Sequence, residues 1–596
     1  MDFTQKETHS NEDLKHPIHI SLRKLTLTKN VFTLKLVVSL LHQQSFTVSG
    51  MRLRLRTQPE KTIIVPIKEL KLKKQNRQIV IAQFNITELP LEQFYWDFYV
   101  DIVVENGNTS EFRIVCDNYI IIKKLRHLMY KYTYLDAEGY MRYPYITVNG
   151  GLSITYRKKG NYETLANKVN EYAAFFFYHC FYRFLNKKIW LVHEKFSETA
   201  QDNAFYFFKY CYENHPDKLV YYVIKEDSAD YKKTMPYKDR VVSFMSFKHL
   251  LLLLASKVII SSEAKGHGYA WRVSGGVIRQ VLNEKNYVFL QHGVLGLKKV
   301  DSTFNYLSRN SAEVFIVSSE FEKNIVKNYF GYPESHIFVT GLARWDYLVD
   351  KSKDKPENER AILLMPTWRS WLEEVEESQF LSSDYYKAYS ELLNSEKLGK
   401  LLESYSIYLN FYVHPKFMPY VQQFSSMHKN VNVIKFGEKS LNDLLMEADL
   451  LITDYSSVAW EMVYQKKPVL FYHFDLNKYM KLQGSYLNLK DNLIGRATYT
   501  ADELIIEIER YALNSFKEEE EFSCKRAQHF TYIDKSNSER IFKVIAQKEG
   551  QFGKFSFSVR KIAKNSELLK ALWRRYKHFP LVRRFGSKFI SKKASN

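Results

Sequence analysis

Residues from about 17 to 125 alternate polar and apolar side chains, and many of them are β-branched. Strands with one buried face show this period of two, and Asn, Gly and Pro between the runs are typical of turns. The pattern predicts a small antiparallel β domain over 1–130 without a catalytic constellation. Its predicted strands are HISLRKLTL, FTLKLVVSL, GMRLRLRT, KTIIVPI, RQIVIAQF, DFYVDIVVE, EFRIVCD and YIIIKKL.

From about residue 165 the pattern changes to a long amphipathic helix and then to short apolar runs that alternate with helical segments. Buried strands of five or six residues between helices predict parallel sheets covered on both faces. The alternation restarts after about 335, so we expect two Rossmann-like domains, at 160–335 and 336–545, that face each other across a cleft. The predicted strands are KIWLVHE, LVYYVIKED, KVIISSE, YVFLQHG, EVFIVSS, IFVTG, AILLMPT, YLNFYVHP, NVNVIKF, DLLITD and PVLFYHF.

The last segment, 546–596, interleaves aromatic and aliphatic residues with basic ones. From Lys554 onward it has 13 Lys and Arg residues and one acid, Glu567. A basic amphipathic segment is typical of binding to an anionic membrane surface. We therefore predict a membrane-surface tail, with a solvated or nucleic-acid-binding tail as the alternative.

Charge and cysteine content narrow the class of protein. The 596 residues include 87 Lys and Arg against 66 Asp and Glu, a net charge of +21 that favours an anionic partner. The four cysteines are far apart in sequence, which argues against a disulfide scaffold and a Cys-based zinc site. The N-terminal residues show no signal-peptide pattern, and no apolar run reaches the roughly 20 residues of a spanning helix.

Polar side chains follow five predicted strands at the points where the strands end. In open parallel sheets, ligands bind outside these carboxyl ends. The ordered placement of histidines, arginines, hydroxyls and carboxylates there predicts one shared site. The candidates are His292, Gly293, Gly341, Arg344, Asp346, Pro366, Thr367, Arg369, His414, Pro415, Asp454, Ser456, Ser457 and Glu461.

These residue types suit the transfer of a phosphorylated group. Arg344 and Arg369 can bind phosphate oxygens with two donors each, although surface ion pairs are the alternative. His292 can accept a proton from an attacking hydroxyl, and His414 can donate to a phosphate oxygen. Asp454, Ser456 and Ser457 precede a helix whose N-terminus can favour an anion, or they only cap it.

Several familiar motifs are absent from the chain. It has no Walker A sequence, no GxGxxG dinucleotide fingerprint, no HExxH and no GxSxG. The predicted strand ends also lack a DxD pair of acids. We therefore expect neither a tightly bound metal ion nor an organic cofactor.

Six motifs in order resemble the CDP-glycerol glycerophosphotransferase family. The family comprises teichoic acid primases and polymerases of Gram-positive bacteria, with related enzymes that use CDP-ribitol. The resemblance covers roughly 188–545, both predicted α/β domains. The motifs are LQHGVLGLKKV, VTGLARWDYL, LLMPTWR, YVHPKF, ITDYSSVAWE and KPVLFYHFD.

This resemblance implies a GT-B-like fold with the active site between the two domains. It also implies transfer of glycerol phosphate from CDP-glycerol to a hydroxyl of a lipid-linked polymer acceptor, with release of CMP, by a peripheral protein on the cytoplasmic face of the cell membrane. His292 matches the family's histidine thought to be the general base, and His414 matches its second essential histidine. The implied donor contacts are Gln291, His292, Gly293, Val294, Leu295, Arg344, Pro366, Thr367, Val413, His414, Pro415, Ser456, Ser457 and Glu461.

The chain departs from the family pattern, and other functions stay open. Gln291 stands where the polymerases often have Trp, and Val294 and Leu295 stand where they often have Thr-Pro. The donor could therefore be CDP-glycerol or CDP-ribitol, and the role primase or polymerase. A GT-B glycosyltransferase or nucleotide-sugar epimerase is one rival, and a non-catalytic membrane-surface scaffold is another. Nucleic-acid binding is disfavoured because no recognition motif is evident.

Overall fold

The computed structural model describes most of the chain. The described residues are 18–40, 45–104, 109–147, 149–185, 188–270, 276–356, 359–373, 375–435, 437–552 and 566–576.

Two antiparallel sheets form the N-terminal unit and enclose one apolar core. The first sheet has the order β1-β2-β6-β5, and the second has the order β4-β3-β7-β11-β10-β9, with β8 also paired to β7. The predicted antiparallel domain is therefore present. Its strands are β1 Ile18–Thr28, β2 Val31–Leu40, β3 Phe46–Leu55, β4 Thr62–Ile64, β5 Ile67–Lys74, β6 Arg77–Asn85, β7 Phe94–Val104, β8 Thr109–Arg113, β9 Tyr134–Leu135, β10 Tyr140–Ile146 and β11 Leu152–Lys158.

The prediction of a strand at YIIIKKL is wrong, because this segment is the helix α1, Tyr119–His127. The Asn118 side chain accepts hydrogen bonds from the backbone N–H groups of the next turn and so begins the helix. Ile121, Ile122 and Leu125 lie on its buried face. The second sheet continues after α1 as far as Lys158, past the boundary of 130 that the sequence pattern suggested.

Two parallel sheets follow, as predicted from the alternating strands and helices. The first has the order β14-β13-β12-β15-β16-β17-β18 and the second β21-β20-β19-β22-β23-β24. Their strands are β12 Trp190–His193, β13 Val220–Ile224, β14 Val241–Ser243, β15 Val258–Ser261, β16 Asn286–Phe289, β17 Val314–Val317, β18 Ile337–Val339, β19 Arg360–Met365, β20 Ile407–Tyr412, β21 Val431–Ile434, β22 Leu450–Thr453, β23 Val469–Tyr472 and β24 Arg496–Thr498.

Helices cover these sheets and join the two α/β units. The last of the sheet-covering helices, α16, returns to the first unit, where the Trp190 indole N–H donates to Glu549 at 3.0 Å. The helices after α1 are α2 Leu165–Phe181, α3 Asn203–Asn214, α4 Phe247–Ala255, α5 Val277–Glu284, α6 Asp301–Phe304, α7 Glu320–Phe330, α8 Glu377–Leu381, α9 Asp384–Leu393, α10 Glu396–Ser404, α11 Leu441–Glu447, α12 Ala459–Tyr464, α13 Leu476–Leu482, α14 Ala501–Leu513, α15 Glu520–His529, α16 Asn537–Glu549 and α17 Glu567–Tyr576.

The predicted basic tail is described only in part, since 553–565 and 577–596 lie outside the described residues. Within the described part, α17 packs against α1 of the N-terminal unit. The buried Arg574 guanidinium donates to the Cys116 carbonyl at 3.1 Å, and Glu567 pairs with Arg309 at 2.7 Å. One face of this basic helix is therefore occupied by protein.

Over the described ranges, no helix combines the length and the apolar character needed to cross a bilayer.

Candidate active site

Two loops, one from each parallel sheet, face each other across the cleft between the α/β units. The first follows β16 and contains His292 and Gly293; the second follows β22 and contains Ser457. A Cβ atom placed on Gly293 would lie 2.5 Å from the Ser457 hydroxyl oxygen. Any side chain at position 293 would therefore displace Ser457, and the two strand ends meet at one site.

His292 and Asp202 form a hydrogen-bonded pair at the edge of the cleft. The His292 Nδ1–H donates to Asp202 Oδ2 at 2.6 Å, and Asp202 also caps α3 through the Asn203 N–H. The His292 side chain is 66% exposed, whereas Asp202 is buried. The Asp202 charge raises the pKa of His292, against the opposing effect of burial. Burial would raise the pKa of Asp202, but the charges of His292 and Arg344 outweigh it and lower that pKa.

Arg344 is buried between the two α/β units, where its guanidinium binds carboxylates of both units. Its Nη1 donates to Asp202 Oδ1 at 2.5 Å and to the His292 carbonyl. Its Nε donates to Glu461 Oε1 at 3.1 Å, and Nη2 bonds the same oxygen. Arg344 and Glu461 thus bind each other across the two units, and the donor contacts expected for them stay a prediction.

Arg369 and Asp454 are also internal, so the Arg369 side chain is not exposed to the cleft as its expected phosphate contact requires. The Arg369 side chain is fully buried and pairs with Asp475 Oδ2 and Asp454 Oδ2, each at 2.8 Å. Asp454 Oδ1 accepts from the Thr367 backbone N–H at 2.7 Å. These groups hold the ends of β19 and β22 together because each buried charge has an opposite partner.

His414 follows β20 and lies on the opposite side of the cleft, with its ring centroid 6.1 Å from that of Trp368. Burial, followed by the charges of Lys195, Lys298 and His292, lowers the pKa of His414 to about 3. His414 is therefore neutral at physiological pH. The structure brings both predicted histidines to one cleft together with these two lysines.

The other predicted residues shape the loops around the cleft. The Gln291 side chain points away from the cleft, since its Nε2 donates to Glu322 Oε1 at 2.9 Å. The Leu295 backbone N–H donates to the same oxygen at 2.6 Å. Ser456 is half-buried and precedes the six-residue α12. The buried members of this set are Gln291, Val294, Leu295, Pro366, Thr367 and Val413, while the backbone of Pro415 follows His414.

Sequence reasoning missed the acid that holds His292 and the lysines near His414. Asp202 precedes α3 and resembles a simple helix cap, which it also is. Lys195 follows β12, and Lys298 lies 4.5 Å above the Trp368 ring. Lys195 could have been found from its position just after a strand, since ligands bind at the carboxyl ends of parallel strands. The pairing of Asp202 with a residue 90 positions away has no local signal in the sequence. Among residues with described positions, no three His, Cys, Asp or Glu side chains gather as a metal site.

Comparison with known families gives a match over most of the α/β region. The family model for CDP-Glycerol:Poly(glycerophosphate) glycerophosphotransferase matches residues 174–547. This range includes both parallel sheets and every residue of the candidate site.

Curated relatives are similar over parts of their length. The minor teichoic acid biosynthesis protein GgaB of Bacillus subtilis is 28% identical over 62% of this chain and 41% of its own length. The ribitol-phosphate polymerase TarK of Staphylococcus aureus is 28% identical over 44% of this chain and 49% of its own. The teichoic acid glycerol-phosphate primase of B. subtilis is 29% identical over 40% and 58%. The chain therefore spans about half the length of these relatives.

Proposed function

Because this chain belongs to the CDP-glycerol:poly(glycerophosphate) glycerophosphotransferase family, we propose that it transfers an alditol phosphate from a CDP-alditol to a hydroxyl of a polymer acceptor in teichoic acid synthesis. CDP-glycerol is the proposed donor, the acceptor is lipid-linked, and CMP is the released product. The observation that carries this proposal is the His292–Asp202 pair, which faces His414 across the cleft between the two parallel sheets.

In the proposed reaction, the acceptor hydroxyl attacks the β-phosphorus of the donor. A new P–O bond to the acceptor forms, the P–O bond to CMP breaks, and the hydroxyl proton moves to His292. Asp202 occupies Nδ1, so Nε2 is the ring atom that accepts the proton. The Asp202 carboxylate then stabilises the imidazolium that forms on His292.

We propose that lysines, rather than arginines, balance the phosphate charge, and that a neutral histidine donates a hydrogen bond to a phosphate oxygen. His414, with a pKa of about 3, is uncharged at neutral pH and can donate one N–H to a phosphate oxygen. Lys195 and Lys298 supply positive charge near the same ring. Arg344 and Arg369 are paired with carboxylates of the chain itself.

A nucleotide-release assay tests the proposal. The full chain is incubated with CDP-glycerol, CDP-ribitol or UDP-N-acetylglucosamine and a lipid-linked acceptor analogue, and the released nucleotide is measured. We expect CMP from a CDP-alditol, and about a 10²–10⁴-fold lower rate for His292→Ala. His428→Ala is the matched control because His428 precedes β21, at the amino ends of the parallel strands rather than at the carboxyl ends that carry the site, and should keep the wild-type rate.

Each result has a separate meaning. UDP release from the sugar nucleotide with no CMP from either CDP-alditol would refute the proposed function and favour a glycosyltransferase. CMP release that is the same in His292→Ala as in wild type would refute the role of His292 alone. Release from CDP-ribitol but not CDP-glycerol would keep the reaction and change the donor, in line with the similarity to a ribitol-phosphate polymerase.

We further propose that the protein acts at the cytoplasmic face of the cell membrane. The helix α2 supports this, since Leu165, Val169, Tyr172 and Phe176 lie one helical turn apart and are 52–79% exposed. Basic side chains of α1 and α2 lie near one histidine of α1. Burial and the charges of Lys123, Arg126 and Lys168 together lower the pKa of a neighbouring histidine, His127. Exposed aromatic and basic groups together suit an anionic lipid surface.

A further inference from the structure

Arg344 lies in the short 3₁₀ turn Ala343–Tyr347, which follows the last strand of the first parallel sheet and precedes the second sheet. Its side chain is 8% exposed. The turn also contacts α3 and α16. The residue therefore sits where the two α/β units join, directly behind the His292 loop.

The donors of Arg344 connect both units. Toward the first unit, Nη1 bonds the carboxylate of Asp202 and the carbonyl of His292, and the backbone N–H donates to the side chain of Asn203 at 3.0 Å. Toward the second unit, Nε and Nη2 bond Glu461 Oε1. Glu461 is 1% exposed and lies on α12, directly after the loop that contains Ser457.

Asp202 is shared, because one carboxylate oxygen binds Arg344 and the other binds His292. A change in the Arg344–Glu461 contact therefore alters both the position of Asp202 and the charge that His292 experiences. A guanidinium suits such a junction since its planar donors bind several acceptors in fixed directions.

We propose that Arg344 is a positioning residue that couples the His292–Asp202 pair to Glu461 across the cleft, so that the base is correctly placed only while the two α/β units are held together. The inference rests on the proposed function for its effect on rate. It is an alternative to the donor contacts that the family resemblance implied for Arg344 and Glu461.

The charges that face His292 determine the direction in which its pKa should shift when Glu461 is neutralised. Asp202 and Glu263 raise the pKa of His292, and Arg344 lowers it, while Lys195 and His414 share the cleft. Without the Glu461 charge, Arg344 is less neutralised and binds Asp202 more strongly. Glu461→Gln should therefore lower the pKa of His292 while retaining an oxygen that can accept from Arg344.

The test measures the pKa of His292 and the kinetics separately. Diethyl pyrocarbonate modifies neutral imidazole, and peptide mass spectrometry of the full chain reports the modification rate of His292 at each pH. For Glu461→Gln, we expect the pH midpoint of His292 modification to be lower than in wild type. The kcat for CMP release should fall roughly tenfold to a hundredfold, and KM for CDP-glycerol should change by less than about threefold. Arg344→Lys, the second variant, should lower kcat in the same way.

The matched control is Glu518→Gln, which weakens another Arg–Glu pair, with Arg526, and contacts neither histidine. Its midpoint and kcat should equal those of wild type. An unchanged His292 midpoint in Glu461→Gln would overturn the coupling, and so would a raised KM at unchanged kcat, since that is the signature of a donor contact. The modification midpoint needs no turnover, so it tests the coupling even if the wild type releases no CMP.

Discussion

Asp202→Asn is the most informative single change, because Asp202 binds both the proposed base, His292, and the buried Arg344. The carboxylate accepts from His292 Nδ1 at 2.6 Å and from Arg344 Nη1 at 2.5 Å. Asparagine has nearly the same shape and keeps one acceptor oxygen, but it has no charge. The substitution therefore removes the electrostatic support of His292 with little change in packing.

The expected magnitude follows from these two contacts. Hydrogen bonds to charged groups contribute about 1.5–3 kcal/mol each, and Arg344 keeps its partner Glu461, so we expect a stability loss of about 1–3 kcal/mol. The effect on turnover should be larger. Since the amide can donate to Nδ1 and favour the wrong tautomer, kcat should fall about 10²–10⁴-fold.

The raised pKa of His292 determines how turnover and stability change with pH. His292 has a raised pKa and must be neutral to accept a proton, so the wild-type kcat/KM should rise with pH through a midpoint above 6.5. In Asp202→Asn, the midpoint should move to lower pH. For stability, the raised pKa of His292 means that its contribution is present below about 6.5 and is lost as pH rises through the folded value.

Rates of CMP release between pH 5 and 9 and thermal denaturation of the same preparations measure both effects. A wild-type pH profile for Asp202→Asn, or a loss of stability without a loss of turnover, would refute the role assigned to the pair.

Three other variants test the cleft, the buried charges and the membrane surface. Gly293→Ala places a methyl group 2.5 Å from the Ser457 hydroxyl oxygen, so CMP release should fall at least about tenfold. Arg369→Met leaves two buried carboxylates without their cation and should cost about 3–5 kcal/mol in a urea titration. The double variant Val169→Glu, Phe176→Glu should no longer sediment with anionic vesicles, while its far-UV circular dichroism stays that of wild type.

Each of these three variants has a control variant with a similar substitution away from the feature tested. Gly550→Ala adds a methyl group where nothing lies within 4 Å and should keep full activity. Arg496→Met removes a half-exposed arginine and should cost less than about 1 kcal/mol. Ile506→Glu changes an exposed residue of α14 and should leave vesicle binding intact. Equal effects in a test variant and its control would contradict the corresponding prediction.

The parallel sheets could be predicted because their strands are continuous apolar runs. β16 and β20, for example, were both expected from the sequence. β14 and β24, each three residues long at a sheet edge, were not, although the equally short edge strand β18 was. β24, with the sequence Arg-Ala-Thr, contains no apolar run that the pattern could detect. The segment YIIIKKL was mistaken for a strand because its β-branched residues outweighed the signal of the Asn118 cap.

The candidate site could be predicted only as far as position along a strand determines it. Because both residues follow a predicted strand, His292 and His414 were expected at one cleft, where the structure also has them. A position after a strand could not show which way an arginine points. Arg344 and Arg369 bind carboxylates that lie 85 or more residues away in sequence, and such partners depend on the three-dimensional fold.

The most direct test of the central claim is the mass of the acceptor after reaction. The purified chain is incubated with CDP-glycerol and a lipid-linked acceptor analogue, and intact mass and CMP are measured in the same sample. We predict that the acceptor gains whole glycerol phosphate units and that their number equals the CMP released. CMP release without any gain in acceptor mass would show hydrolysis rather than transfer and would contradict the account.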